Sequence, residues 1–343
     1  MHCSLKLLYV QELARDFESR EGYILIVAWL LLLLPLSSPS PAWFLPHAVP
    51  VERVSSAKTL TGDELLKIGG VHDHQHHFPE ALTYYELALS TFRENKQARG
   101  MATALVHIAQ VYERQGRIQE ADVALQEAVP LLARSSDRNA HAGGLLLQGR
   151  IWARLGQLEN ARASFSHAIT LFDRAHDRHG WNEASVQLGL LYVGDGMTEQ
   201  GLSLLQQALQ DSRTRQDRGQ QLAAVVALGN VQWLLDRTDT ARQYYDEGLQ
   251  LAEVERNMAV EAMLRLRLAQ LDGEEERLTE GIELGKRALF LSKILRDAVT
   301  EAAALSLLAE LYRKVGWNVE ADESEQRALS IYRNRQIFVH GAR

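Results

Sequence analysis

The chain has 343 residues, 46% of them hydrophobic, and a formal net charge of −7. Its 37 basic and 44 acidic residues are interspersed, which excludes the one-sided basic surface that binds nucleic acid or anionic membranes. Cys3 is the only cysteine, so a disulfide framework and a thiolate metal site are excluded as well.

The first feature in chain order is Tyr23 to Leu36, an uncharged apolar run of 14 residues. A membrane-spanning helix needs about 20 residues, whereas a secretory signal core needs roughly 7–15. Ser40 and Ala42 follow as small residues at the −3 and −1 places of a cleavage site before Trp43. Against this, residues 1–22 are long for a leader and carry three basic residues against four acidic ones. Residues 1–42 are therefore expected to be a cleaved signal peptide or an uncleaved signal anchor, with a buried apolar helix of a cytoplasmic protein as the third option. The first two place the protein outside the cytoplasm, periplasmic or extracellular, or on a membrane tethered through residues 23–36. Residues 43–57, with Pro46 and Pro50, read as a linker.

From residue 58 to 336 one pattern recurs seven times, with a period of 40 and no insertion. A small residue stands at Gly69, Ala109, Gly149, Gly189, Gly229, Ala269 and Ala309. Another follows twelve places later, from Ala81 to Ala321, and a third seven beyond that, from Ala88 to Ala328. Each repeat reads as helix, tight turn, helix. In the clearest one, Asp137 precedes Leu145, Leu146, Gly149, Trp152 and Ala153 at helical spacing. Gly156 ends that helix, and Ala161, Phe165, Ala168 and Leu171 share a face of the next. The starting position reads Gln97, Asp137, Asp177, Asp217, Asn257 and Asp297, side chains that accept the orphan amides of a first turn. The internal turn reads His76, Gly116, Gly156, Gly196, Asp236, Glu276 and Gly316, where left-handed backbone is expected.

The small positions let helices approach closely; a bulky side chain there forces strain of about 1–3 kcal/mol. The period predicts an all-α solenoid of seven helix-turn-helix repeats, each burying its apolar face on its neighbours. Repeat seven carries Glu325 where Tyr85, Leu125, Phe165, Leu205 and Tyr245 stand earlier. Its outer face is therefore expected to be a polar cap, followed by a tail over 337–343 and a monomeric array.

Small residues at these spacings, with Tyr112, Trp152 and Tyr192 three after the first and Tyr85, Phe165 and Tyr245 four after the second, resemble the tetratricopeptide repeat. The 40-residue period and the pairs Asp137-Arg138, Asp177-Arg178 and Asp217-Arg218 resemble its long-helix variety, found in kinesin light chains. The resemblance implies a right-handed superhelix with first helices lining the concave face. It then points to Gln110, Arg150, Arg154, Asn230, Trp233 and Gln270 as peptide-binding residues, with Arg150, Arg154, Asn230 and Trp233 as the expected cluster. Leu66, Val106, Leu146, Val186 and Val226 occupy the places where a carboxylate clamp would repeat lysines, so that function does not carry over.

His72, His74, His76 and His77 fall in one turn. They are weak metal candidates, because one loop cannot easily aim four rings at one ion; solvated turn residues are the expected outcome and no metal is assigned. The chain contains no Gly-rich phosphate loop, G-x-S-x-G, H-E-x-x-H or dinucleotide fingerprint, so neither enzymatic activity nor a cofactor is expected. The expected function is a non-enzymatic scaffold that captures a protein or peptide segment in its groove and helps assemble a complex at the cell envelope. The alternative is a peptide-responsive regulator that changes superhelical pitch.

Overall fold

The computed structural model describes residues 60–340. The expected signal segment over 1–42, the expected linker over 43–57 and residues 341–343 lie outside that range. Among the described residues there are fourteen helices and no strand, in pairs that repeat seven times. The first helices are α1 (Gly62–His74), α3 (Ala98–Arg114), α5 (Arg138–Arg154), α7 (Arg178–Gly194), α9 (Arg218–Leu234), α11 (Met258–Glu274) and α13 (Ala298–Lys314). The second helices are α2 (Phe78–Glu94), α4 (Ile118–Ala133), α6 (Leu158–Arg174), α8 (Thr198–Thr214), α10 (Thr238–Val254), α12 (Leu278–Leu295) and α14 (Asn318–His340). Two compact units result, one ending at Ala208 and the other beginning at Leu209, so that the division falls within α8. Within the first unit α1, α3, α5 and α7 touch in succession, as do α11 and α13 in the second.

The helix boundaries follow from local chemistry. Asp137, Asp177, Asp217, Asn257 and Asp297 each accept a first-turn amide hydrogen from their side chains, whereas Gln97 accepts none. Thr61 and Glu64 form a reciprocal capping box at the start of α1. All seven internal turn residues have positive φ, from 57° at Asp236 to 82° at Gly316. Left-handed backbone lets the next amide reach back five residues, as Arg117 N does to Tyr112 O at 2.9 Å and Trp317 N to Tyr312 O at 2.8 Å, closing the carbonyls a helix end leaves open. The turns between repeats use the same geometry without glycine, at Lys96, His176, Gln216, Arg256 and Arg296.

The small residues mark close approach. A Cβ on Gly69 would sit 2.6 Å from the Tyr85 ring, one on Gly149 2.5 Å from Phe165, and one on Gly229 2.6 Å from Tyr245. Each of these rings is at most 1% exposed, the kind of burial whose removal costs about 3–5 kcal/mol.

A second size rule governs the seams between repeats. Phe92, Leu132 and Phe172 end their second helices opposite starts marked by Gly100, Ala140 and Gly180, and a Cβ on either glycine would run into the facing ring. At the same seams further along, the order reverses to Ser212 with Gln220, Ala252 with Val260 and Ser292 with Thr300. At the Phe92–Gly100 and Phe172–Gly180 seams a ring on one side is met by a glycine on the other.

The array's end departs from the expected polar cap. Leu329 and Tyr332 are 45% and 42% exposed, while their counterparts Leu89 and Phe92 are 7% and 3% exposed. Glu325 is polar and exposed as anticipated and pairs with Arg313. Beside it, Leu329 and Tyr332 form an apolar step. Helix α14 also runs to His340, four residues past the expected boundary at 336.

Candidate binding face on the first helices

In the first unit, the ends of the first helices are cross-linked by charge. Arg114, the last residue of α3, pairs with both carboxylate oxygens of Asp73 on α1. Burial and the adjoining Asp73 push the Tyr85 phenol above its ordinary range. On α5, Arg150 donates from Nε and Nη2 to Glu113 at 3.1 and 2.7 Å and from Nη1 to Glu183 at 3.1 Å. This one side chain therefore ties α3, α5 and α7 together. Glu113 is 5% exposed. Burial works against the Arg150 charge, and Glu113 with Glu183 more than offsets it, holding the guanidinium above its usual range. Arg154 is partly buried, and its Nη1 donates to the main-chain oxygen of Glu113 at 3.3 Å. Burial lowers its pKa, with only partial relief from Glu113.

Gln110 lies on α3 with its Oε1 3.2 Å from His107 Nδ1. The His107 ring stacks on Tyr85 with centroids 5.0 Å apart, and burial pushes its pKa below the ordinary histidine value.

In the second unit, Asn230 is 3% exposed, and its Oδ1 accepts the Tyr245 hydroxyl at 2.9 Å. Burial pushes the Tyr245 phenol up to about 12. The Asn230 side chain is thus committed to its own helix pair. Trp233 is 8% exposed, and the Arg267 guanidinium lies over its ring, 5.2 Å from the centroid. Arg267 also donates to Gln270 Oε1 at 3.3 Å, so Trp233 and Gln270 share one arginine. Lys314 ends α13 and donates to Gly273 O at 2.7 Å, repeating the contact that Arg154 makes with the preceding first helix.

The six expected binding residues therefore divide between the units. Arg150 and Arg154 meet through Glu113 in the first; Trp233 and Gln270 meet through Arg267 in the second. Arg267 was absent from the sequence expectation, although its place three residues before Gln270 would bring both onto one helix face.

The histidine turn is occupied by ring contacts. His72 stacks on Tyr84 at 5.3 Å, with His77 6.0 Å away, and His76 meets Phe78 edge-on. His74 is exposed. Among the described residues no group of three or more His, Cys, Asp and Glu side chains is placed to hold a metal ion.

Residues 63–134 match the tetratricopeptide repeat family. No curated protein matches the sequence significantly. Similar solved structures include aspartyl phosphate phosphatase F from Bacillus subtilis, 12% identical with a TM-score of 0.63, covering 82% of this chain and 72% of that one. A Rap protein complexed with competence and sporulation factor is 15% identical with a TM-score of 0.62, over 82% of this chain and 79% of the other. The Rap conjugation gene regulator of plasmid pLS20, solved with the Phr* peptide, is 18% identical with a TM-score of 0.58, over 87% and 81%. At these identities the likeness is one of fold. With one helix pair recurring seven times in register and residues 63–134 matched to the family, the described residues have the fold of a tetratricopeptide repeat array.

Proposed function

We propose that this protein is a non-enzymatic scaffold whose first helices take an extended protein or peptide segment. The observation that carries this reading is the Arg150 bridge, which holds α3, α5 and α7 in one row with polar groups already positioned. Preorganisation of that kind removes part of the ordering cost of binding. Further support comes from two fold relatives, one complexed with competence and sporulation factor and one with the Phr* peptide. A role in assembling a complex at the cell envelope, with residues 23–36 as signal or tether, is part of the same proposal. No helix among the described residues is long and apolar enough to cross a membrane; the proposed tether is the apolar run over residues 23–36, which lies outside that range. The same relatives favour a second reading, a regulator that responds to a peptide by changing shape.

Panning the full chain against a random peptide library, followed by titration of the enriched peptides in solution, tests the binding reading. Saturable binding is expected, and failure to enrich any peptide overturns it. Small-angle scattering with and without an enriched peptide separates the two versions: a scaffold keeps its radius of gyration, and a regulator changes it.

A further inference from the structure

The cations on the first helices of the first unit differ in what already answers them. Arg114 has both oxygens of Asp73. Arg150 has Glu113 and Glu183. Arg154 has a single hydrogen bond, and that goes to a main-chain carbonyl. An arginine fork carries five N–H donors and fits a carboxylate two at a time, so most of the Arg154 fork is uncommitted. The neighbouring anion, Glu113, is turned to Arg150, which donates to both its Oε1 and Oε2, and Arg154 meets only its main-chain oxygen. At the matching place in repeat four stands Gly194, which has no side chain to offer.

We infer that Arg154 is the recognition cation of this face and holds a carboxylate of the bound segment, either a free C-terminus or an Asp or Glu side chain. Arg150 is then a positioning residue: by occupying Glu113 it keeps Arg154 available. The inference rests on the peptide-binding reading above and adds the chemistry that the face selects. Burial without a carboxylate partner disfavours the Arg154 charge, a penalty that an incoming anion relieves.

Peptides enriched on the full chain are resynthesised in three forms: the parent, its C-terminal amide, and a version with Asp and Glu changed to Asn and Gln. Each is titrated by fluorescence anisotropy. One neutralised form is expected to bind roughly ten- to hundredfold more weakly, which identifies the carboxylate's source, and that difference disappears in Arg154→Met. Arg150→Met weakens the parent peptide by a similar factor, because Glu113 then turns onto Arg154; adding Glu113→Gln restores binding. A purely structural role for Arg150 gives no such rescue, and circular dichroism confirms that each variant keeps its helix content. Peptides indifferent to neutralisation, or equal binding by Arg154→Met, overturn the carboxylate assignment and leave the peptide-binding reading standing. Failure to enrich any peptide overturns that reading and this inference with it.

Discussion

Exchanging Phe92 for Ala and Gly100 for Val, singly and together, rebuilds the first seam in the image of Ala252 and Val260. Phe92 is 3% exposed, so Phe92→Ala removes a packed ring and should cost about 3–5 kcal/mol. Gly100→Val drives a branched side chain into that ring, where even a Cβ has no room, and should cost about 1–3 kcal/mol. In the double variant the valine occupies part of the space the ring vacates. The combined loss should then fall below that of Phe92→Ala alone, a coupling of about 2 kcal/mol or more between residues in contact. Amide hydrogen exchange across α2 and α3 reads the local opening free energy, where a whole-chain midpoint would average over repeats. Strict additivity of the two losses would refute the size rule.

Asp137→Ala should lower the opening free energy of α5 by about 1 kcal/mol, and Gln97→Asp should raise that of α3 by a similar amount, since Gln97 caps nothing; hydrogen exchange at the helix starts checks both. Gly316→Ala should destabilise the last turn, and Glu276→Gly should stabilise the preceding one, each by about 1 kcal/mol, because both sites have φ above 50°; thermal melts of the two variants should shift in opposite directions. Burial depresses the His107 and His141 pKa values below 6.5. On acidification the unfolded chain therefore takes up protons first, so stability is full above pH 6.5 and falls as pH descends through the lower folded values. Urea titrations from pH 7.5 to 5 should show a smaller acid loss in His107→Gln; an unchanged loss would remove His107 from the account.

Much of the fold was legible because it is local. A capping aspartate reports a helix start within three residues, and Gly116, Gly156, Gly196 and Gly316 report left-handed turns by themselves. The three small positions repeat so strictly that their role as helix contacts needed no coordinates. What the binding face does was less legible, because its decisive partners are distant in sequence. Arg150 looked available until Glu113 and Glu183, 37 and 33 residues away, were seen to hold it. Asn230 was expected to face a ligand, yet its oxygen accepts the hydroxyl of Tyr245, fifteen residues on. At the array's end, Glu325 correctly signalled a polar residue, but Leu329 and Tyr332 needed comparison with Leu89 and Phe92 before their exposure had meaning.

That exposed step behaves like the growth edge of a one-dimensional crystal. Leu329 and Tyr332 present the same surface that Leu89 and Phe92 offer to α3, so the template for another layer is already cut. A helix pair fused after α14, with glycine at the place of Gly100, would find its seat ready without redesign of the seven repeats beneath it. Array length is therefore an adjustable property, and an added layer could carry a reporter or a second recognition row at a known spacing from the first.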